Sequence, residues 1–377
     1  MTTPIRTKRT AFVARNKVIL TMLLSCVIAF TGACQKNVLT VPGVTSLYPA
    51  VTTNGFGFIN QSGKLVIEGF TQVKPFSEGL AVASKGAKYG FIDATGQTII
   101  PFIFDMANPF SDGLAAVRIS ENWGFIDMHG SFKIRPQFKQ EPRSFVDGYS
   151  MNGVDLQDKS LVLKKDFFID KNGNRITPPN AISLMPFSGG KAWLGDFDSQ
   201  GREYWTVIDK KFHPVSGRML MCIIPMPFSE GMASVHLGSC TDQAKVGYVN
   251  DDGKVAIAPR FNFGGDFKEG LAKVNIGTKW GFIDKSGTMR IPPQFDKAGD
   301  FSGGLAAAWE NGKLGFIDQT GKWVIPAQFS DVYSTDTKFT GELAGLGIIV
   351  GKSPMRAAIE YVNRKGQIIY GPVEVRR

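Results

Sequence analysis

The chain has 377 residues, of which 43% are hydrophobic and 20% charged, so it can bury a core and is not compositionally disordered. Its 43 glycines, 20 prolines and 29 phenylalanines point to many short strands and tight turns and exclude a helical bundle. The net charge of +10 invites a nucleic-acid reading, but five of those charges lie in the first 17 residues and no acid accompanies them, which leaves a modest +5 over the rest.

Arg6, Lys8, Arg9, Arg15 and Lys17 precede an uncharged apolar or small stretch from Val18 to Ala33. A basic start, an apolar middle and a small-residue exit predict an export signal over residues 1–33. The apolar stretch is shorter than the roughly 20 residues of a membrane-spanning helix. Phe30-Thr31-Gly32-Ala33-Cys34 resembles a bacterial lipobox, with Thr31 where leucine is preferred. That resemblance implies lipidation at Cys34 and, with Gln35 following it, an exported outer-membrane lipoprotein tethered through residues 34–53. With Cys26 removed and Cys34 lipidated, Cys222 and Cys240 remain in an oxidising setting. Either they form a disulfide or they are two small buried apolar side chains.

Two strings then recur in one phase. The first is Gly57-Phe58-Ile59-Asn60, Gly90-Phe91-Ile92-Asp93, Gly124-Phe125-Ile126-Asp127, Gly247-Tyr248-Val249-Asn250, Gly281-Phe282-Ile283-Asp284 and Gly315-Phe316-Ile317-Asp318, with degenerate copies beginning at Phe167, Thr206 and Glu360. The second runs from Pro75-Phe76-Ser77-Glu78-Gly79 through copies at Pro109, Pro186, Pro227, Asp266 and Asp300. Nine units follow over residues 54–370, with a tail at 371–377 and degeneration at about 151–246. Each unit reads as an antiparallel β-meander. Leu114-Ala115-Ala116-Val117 is a strand, Trp123-Gly124-Phe125-Ile126 the next, Asp127-Met128-His129-Gly130 a tight turn, and Phe132-Lys133-Ile134-Arg135 a strand ended by Pro136. The glycine before phenylalanine predicts a close backbone neighbour. In unit five the turn near Asp209 reads as lost.

The Lys279-Trp280-Gly281 string, the Phe-Ile-Asp-x-x-Gly turns and the proline-ended strands resemble the bacterial WG repeat, also called KWG. The resemblance implies structural residues without a general catalytic set. One unit cannot bury enough surface to fold alone, so neighbours must stack. The expected fold is all-β: tandem meanders in a β-propeller-like ring, with an open β-solenoid as the alternative. Because propellers typically have four to eight blades, the terminal partial units are expected to share one blade.

Enzymatic motifs are sparse. Gly345 to Ser353 would need glycine at Leu346 to make a phosphate loop. His129, His213 and His236 lie in different units without ligand spacing, and no cofactor is expected. Asp196, Asp198 and Gln200 partly match a calcium loop, but Val207 stands where the bidentate glutamate belongs. Trp193, Arg202, Tyr204 and Trp205 cluster around that loop in the degenerate region, where a ligand-contacting surface competes with relaxed drift. The favoured function is a non-enzymatic cell-envelope binding or scaffold module for protein, peptide or cell-wall glycan. The alternative is a glycan-active enzyme using two carboxylates in a propeller pocket.

Overall fold

The computed structural model describes residues 46–152, 166–179, 181–238, 244–330, 332, 337–350 and 356–371. The export signal, Cys34 and Cys240 lie outside these residues. Among the described residues every regular element is a strand, and the strands make nine separate antiparallel sheets. Blades one to nine span residues 48–70, 72–104, 106–138, 149–176, 183–220, 232–261, 263–295, 297–329 and 339–370. Blade two shows the full unit: Gln72–Val73, Ala81–Lys85, Lys88–Ile92 and Thr98–Phe104, paired in that order.

The two recurring strings keep one phase because they touch. Each Phe-Ile-Asp phenylalanine packs on the Phe-Ser phenylalanine of the following blade. Ring centroids lie 4.8 Å apart for Phe58–Phe76, Phe91–Phe110 and Phe125–Phe145, and 4.9 Å for Phe282–Phe301. Such pairs contribute about 0.5–1.5 kcal/mol each beyond area burial.

Nine apolar clusters fill nine blade interfaces, and this settles the closure. Eight join blades consecutive in sequence, while the ninth joins Tyr48, Ala50 and Ile59 of blade one to Leu343 and Tyr361 of blade nine. Three hydrogen bonds reinforce that seam. The Glu342 N–H donates to the Tyr48 hydroxyl (3.0 Å), and the Tyr361 and Tyr370 hydroxyls donate to the carbonyls of Pro49 (2.6 Å) and Val51 (2.7 Å). An open array of nine units would have eight interfaces. The fold is therefore a closed nine-bladed β-propeller. The terminal units do not share a blade: each forms its own sheet. Blade one begins at Tyr48, inside the stretch expected to be a tether.

The segment carrying the Phe-Ser string, ahead of a full unit's second strand, lies nearest the axis, and successive segments hydrogen-bond to one another. The Ser77 hydroxyl donates to the Phe110 carbonyl, Ser111 to Phe145, Ser229 to Phe267 and Ser302 to Phe339, all at 2.6–2.7 Å. The last strand forms the outer edge, where alternate residues face solvent.

The glycine before phenylalanine has its expected close neighbour. A Cβ on Gly90, Gly124, Gly281 or Gly315 would lie 2.5–2.6 Å from the carbonyl oxygen of Ile100, Ile134, Ile291 or Ile325 on the outer strand. Phe167, Thr206 and Glu360 replace that glycine in blades four, five and nine. There the outer strand shrinks to Arg175–Ile176, Met219–Leu220 and Ile368–Tyr370. In blades two, three, six, seven and eight it continues past its proline through a bulge, as Phe132–Phe138 does beyond Pro136. Bulges and prolines at an exposed edge discourage pairing with another sheet.

Candidate functional site

The Phe-Ser-x-Gly string does more than turn the chain. Its two central residues both take positive φ (Glu78 53°, Gly79 88°), the geometry of a two-residue type I′ hairpin. Asp112, Asp147, Glu230 and Glu269 adopt the same left-handed backbone at the equivalent places. That conformation aims each carboxylate at the next blade. Glu78 accepts the N–H groups of Asp112 (2.8 Å) and Gly113 (3.0 Å), and Glu230 those of Glu269 (2.6 Å) and Gly270 (3.0 Å). Glu269 accepts those of Gly303 (2.7 Å) and Gly304 (2.9 Å). Asp112 and Asp147 each accept one, from Gly148 (2.6 Å) and Gly190 (2.9 Å). At the step from blade eight to nine, where glycine replaces the acid, Arg364 bridges the carbonyls of Gly303 (2.8 Å) and Gly341 (2.9 Å) instead. Sequence reading missed these latches. The signal available was an acid in a slot whose backbone suits glycine.

The Asp-x-x-Gly aspartates are likewise structural. Asp284 accepts from Ser286 and Thr288, and these hydrogen bonds hold its carboxyl below the ordinary aspartate value. The turn at Asp209 is kept, contrary to expectation. Asp209 accepts the N–H groups of Lys211 and His213, and Phe212 takes glycine's left-handed backbone (φ 65°). Its ring packs among Tyr149, Phe168 and Phe187, at centroid distances of 5.3–5.9 Å, which holds a bulky residue in a costly conformation.

The proposed ligand-contacting quartet is not one surface. Trp193 and Trp205 are 0% and 1% exposed in the core between blades five and six. Trp193 stacks on Phe228 at 5.2 Å and its indole N–H donates to the Met226 carbonyl (3.0 Å). It stands in for the interface phenylalanine that Val207 replaces, so burial withdraws both tryptophans from ligand contact. Arg202 and Tyr204 lie towards the tip of the same hairpin. The calcium-like residues are engaged otherwise: Asp198 caps its own turn and pairs with Arg202 (2.7 Å), and Asp196 pairs with Arg218 (2.9 Å). Among the described residues no cluster of acids, histidines or cysteines could hold a metal ion. Cys222 is disulfide-bonded, and its proposed partner Cys240 lies outside the described residues.

The axial wall loses its regularity in blades six to eight. In blades seven and eight Gly-Asp-Phe, as Gly265-Asp266-Phe267 and Gly299-Asp300-Phe301, stands where Pro-Phe is preceded by Lys74, Asn108, Met185 or Met226 in other copies, at bulges in the axial strands. A Cβ on Gly264 would meet the Tyr248 hydroxyl at 2.6 Å, and one on Gly265 the Lys273 stem at 2.8 Å. The two glycines thus make room for Tyr248, which donates to the Gly265 carbonyl (2.9 Å), and for Lys273, which pairs with Asp300 of the next blade (3.1 Å). Burial pushes the Asp266 carboxyl above the ordinary range; Asp300 adds to that rise while Lys268 and Lys273 oppose it. In blade six, Ile223 and Ile224 are extruded from the axial segment and stand 52% and 54% exposed. A shallow groove of about 560 Å³ flanks blades six and seven, lined by Arg260, Phe261, Ile276 and the turn Ser286–Met289.

Comparison with known proteins agrees with this architecture. The family model for the WG containing repeat matches residues 56–89, 89–123, 247–280, 280–313 and 315–336. The first four matches run from the Gly-Phe-Ile strand of one blade, or its Gly-Tyr-Val counterpart, to the equivalent strand of the next, so they take in the aromatic pair between blades. No curated protein matches the chain in sequence. Among solved structures, the β-propeller domain of the Trilobed protease from Pyrococcus furiosus is 9% identical with a TM-score of 0.38, over 80% of this chain and 97% of that one. The uncharacterized protein lmo1340 from Listeria monocytogenes EGD-e is 9% identical with a TM-score of 0.37, over 76% and 95%. The tricorn protease is 13% identical with a TM-score of 0.27, and the match spans 78% of this chain but only 34% of the protease. None of these likenesses bears on what the chain does. What the five repeat matches show is that the chain contains WG repeats.

Proposed function

We propose that the protein is a non-enzymatic binding or scaffold module of the cell envelope, acting on protein, peptide or cell-wall glycan. One observation carries the reading: the repeated polar side chains are engaged in building the ring, while the axial segments of blades six to eight break their own pattern with bulges and exposed apolar side chains. A rigid ring with one irregular sector suits recognition, because residues set on a packed scaffold are held ready for a partner. The export-like residues 1–33 and the lipobox-like end at Cys34 motivate an outer-membrane placement. Mass spectrometry of the mature N-terminus tests that placement, with a diacylglyceryl and acyl mass on Cys34 as the expected result. Pulldown from envelope extracts, repeated with purified wall glycan, tests the binding role, and recovery no better than a matched control contradicts it.

A second reading, a glycan-active enzyme, is favoured by Asp266 and Asp300. Burial raises the Asp266 carboxyl, as a general acid requires, and Asp300, paired with Lys273, stands near enough to add to that rise. Release of reducing ends from wall glycan by the wild type but not by Asp266→Asn would support it; equal release by both, or none, contradicts it.

A further inference from the structure

Most exposed large apolar side chains fall into two groups, with Ile119, Phe197 and Val215 standing apart. Val66, Ile99, Ile103, Phe132, Val255 and Val324 are spread along outer strands of several blades. Ile223, Ile224, Met226, Phe263 and Ile276, each 43–54% exposed, belong instead to the axial segments of blades six and seven or to the strand beside them. Register places them together. The Cys222 N–H donates to the His236 carbonyl and the Asn262 N–H to the Asn275 carbonyl, at equivalent points of adjacent blades. Ile223 and Phe263 therefore follow at one level of consecutive axial segments. Between Cys222 and Met226 the segment carries one residue more than between Thr71 and Lys74 of blade two, which bonds Ser84 and Val82 in the same manner. That extra residue forces the two isoleucines outward.

The surroundings say what would cover them. At the places of Ile223 and Met226, blade two has Gln72, bonded to Tyr89, and Lys74, bonded to the Ala107 carbonyl and Asn108 of the next blade. The polar contacts of blade two are thus replaced here by exposed apolar groups. Three residues along from Phe263, Asp266 has no hydrogen bond or ion pair among the described residues, whereas Asp300 is paired with Lys273. The patch also lies towards the face away from the chain's entry. Ser46 sits beside the axial turn of blade nine, where a Cβ on Gly341 would meet its hydroxyl at 3.5 Å, whereas Phe263 and Ile276 flank the hairpins of the opposite face.

We infer that this patch docks an extended peptide bearing apolar side chains and a lysine or arginine. The apolar groups cover Ile223, Ile224, Met226 and Phe263, and the cation meets Asp266. The inference rests on the binding reading above. Its test is fluorescence anisotropy of the full chain with labelled peptides having Leu-Lys-Leu, Leu-Glu-Leu or Ser-Lys-Ser cores. The Leu-Lys-Leu peptide is expected to bind best. Ile223→Ser with Ile224→Ser should weaken it roughly tenfold or more, and Asp266→Asn about three- to tenfold, with Leu-Glu-Leu unaffected or tightened by the latter. Circular dichroism melts confirm that each variant folds. Equal binding of the three peptides, indifference to the isoleucine substitutions, or no binding at all overturns the inference. So does concentration-dependent dimerisation abolished by those substitutions, which would make a second copy the occupant. Continued capture of an envelope partner by the doubly substituted chain would leave the broader binding role intact while removing this site from it.

Discussion

Gly315→Ala offers a clean reading of how tightly the outer strand is laid down. The backbone there is ordinary for an L residue, so the cost comes from contact alone. The added Cβ would stand 2.5 Å from the Ile325 oxygen, 2.7 Å from the Ala327 nitrogen and 2.7 Å from the Pro326 carbonyl carbon. All three are backbone atoms, and relief requires the two strands to part by about 1 Å within a close-packed interface. Overpacking of this kind costs about 1–3 kcal/mol, and alanine's better strand propensity returns about 0.5–1 kcal/mol. A net loss of about 1–2 kcal/mol would lower Tm by about 1.5–3 °C in a domain of this size. Gly345→Ala in blade nine is the control, because its Cβ would meet only the Tyr361 ring edge at 3.4 Å and Ile359 at 3.6 Å. Far-UV circular dichroism melts of both variants make the comparison. Equal Tm values for the two would refute the argument that outer-strand backbone dictates this glycine.

Glu269→Ala removes an acceptor shared by two N–H groups of blade eight and should cost about 1–2 kcal/mol in urea unfolding, with Glu269→Gln between it and wild type. Trp193→Ala should cost about 3–5 kcal/mol by the same assay; an unchanged stability would contradict its place in the core between blades five and six. Side-chain hydrogen bonds from Ser286 and Thr320 hold Asp284 and Asp318 below their ordinary values, so their contribution is complete above about pH 4 and is lost as pH falls through the lower folded values. Melts against pH should show that acid limb, and Asp284→Ala should shrink it. Asp266 has the opposite sign: its raised value means that ionisation opposes folding at neutral pH, so Asp266→Asn should raise Tm at pH 7 and lose that advantage as pH falls.

Much of the architecture was legible because it is written in local rules. The Asp-x-x-Gly turns, the glycine before phenylalanine and the period of the two strings each express one unit's own geometry. The ring was the favoured closure, but the separate terminal blades were not legible, since their seam depends on Tyr48 meeting Tyr361 across nearly the whole chain. The tryptophans misled for a related reason. Trp193 looked like a binding residue by type, but it fills the interface place left by Val207, a compensation visible only once blade five packs on blade six. The lost glycine at Phe212 concealed a turn because aromatic neighbours from blades four and five hold the strained backbone. The carboxylate latches were hidden because an acid beside glycine signals only a turn until the next blade supplies its N–H groups.

Closure of the ring is best tested where the two ends meet. A photo-reactive phenylalanine analogue at Ser62 neighbours Gly63, whose Cβ position lies 2.5 Å from the Ile369 oxygen. Irradiation followed by proteolysis and mass spectrometry should join the residue-62 peptide to one containing Ile368–Tyr370, within a single chain and at a yield independent of protein concentration. Absence of that product, or its appearance only between two chains, would contradict a closed nine-bladed ring.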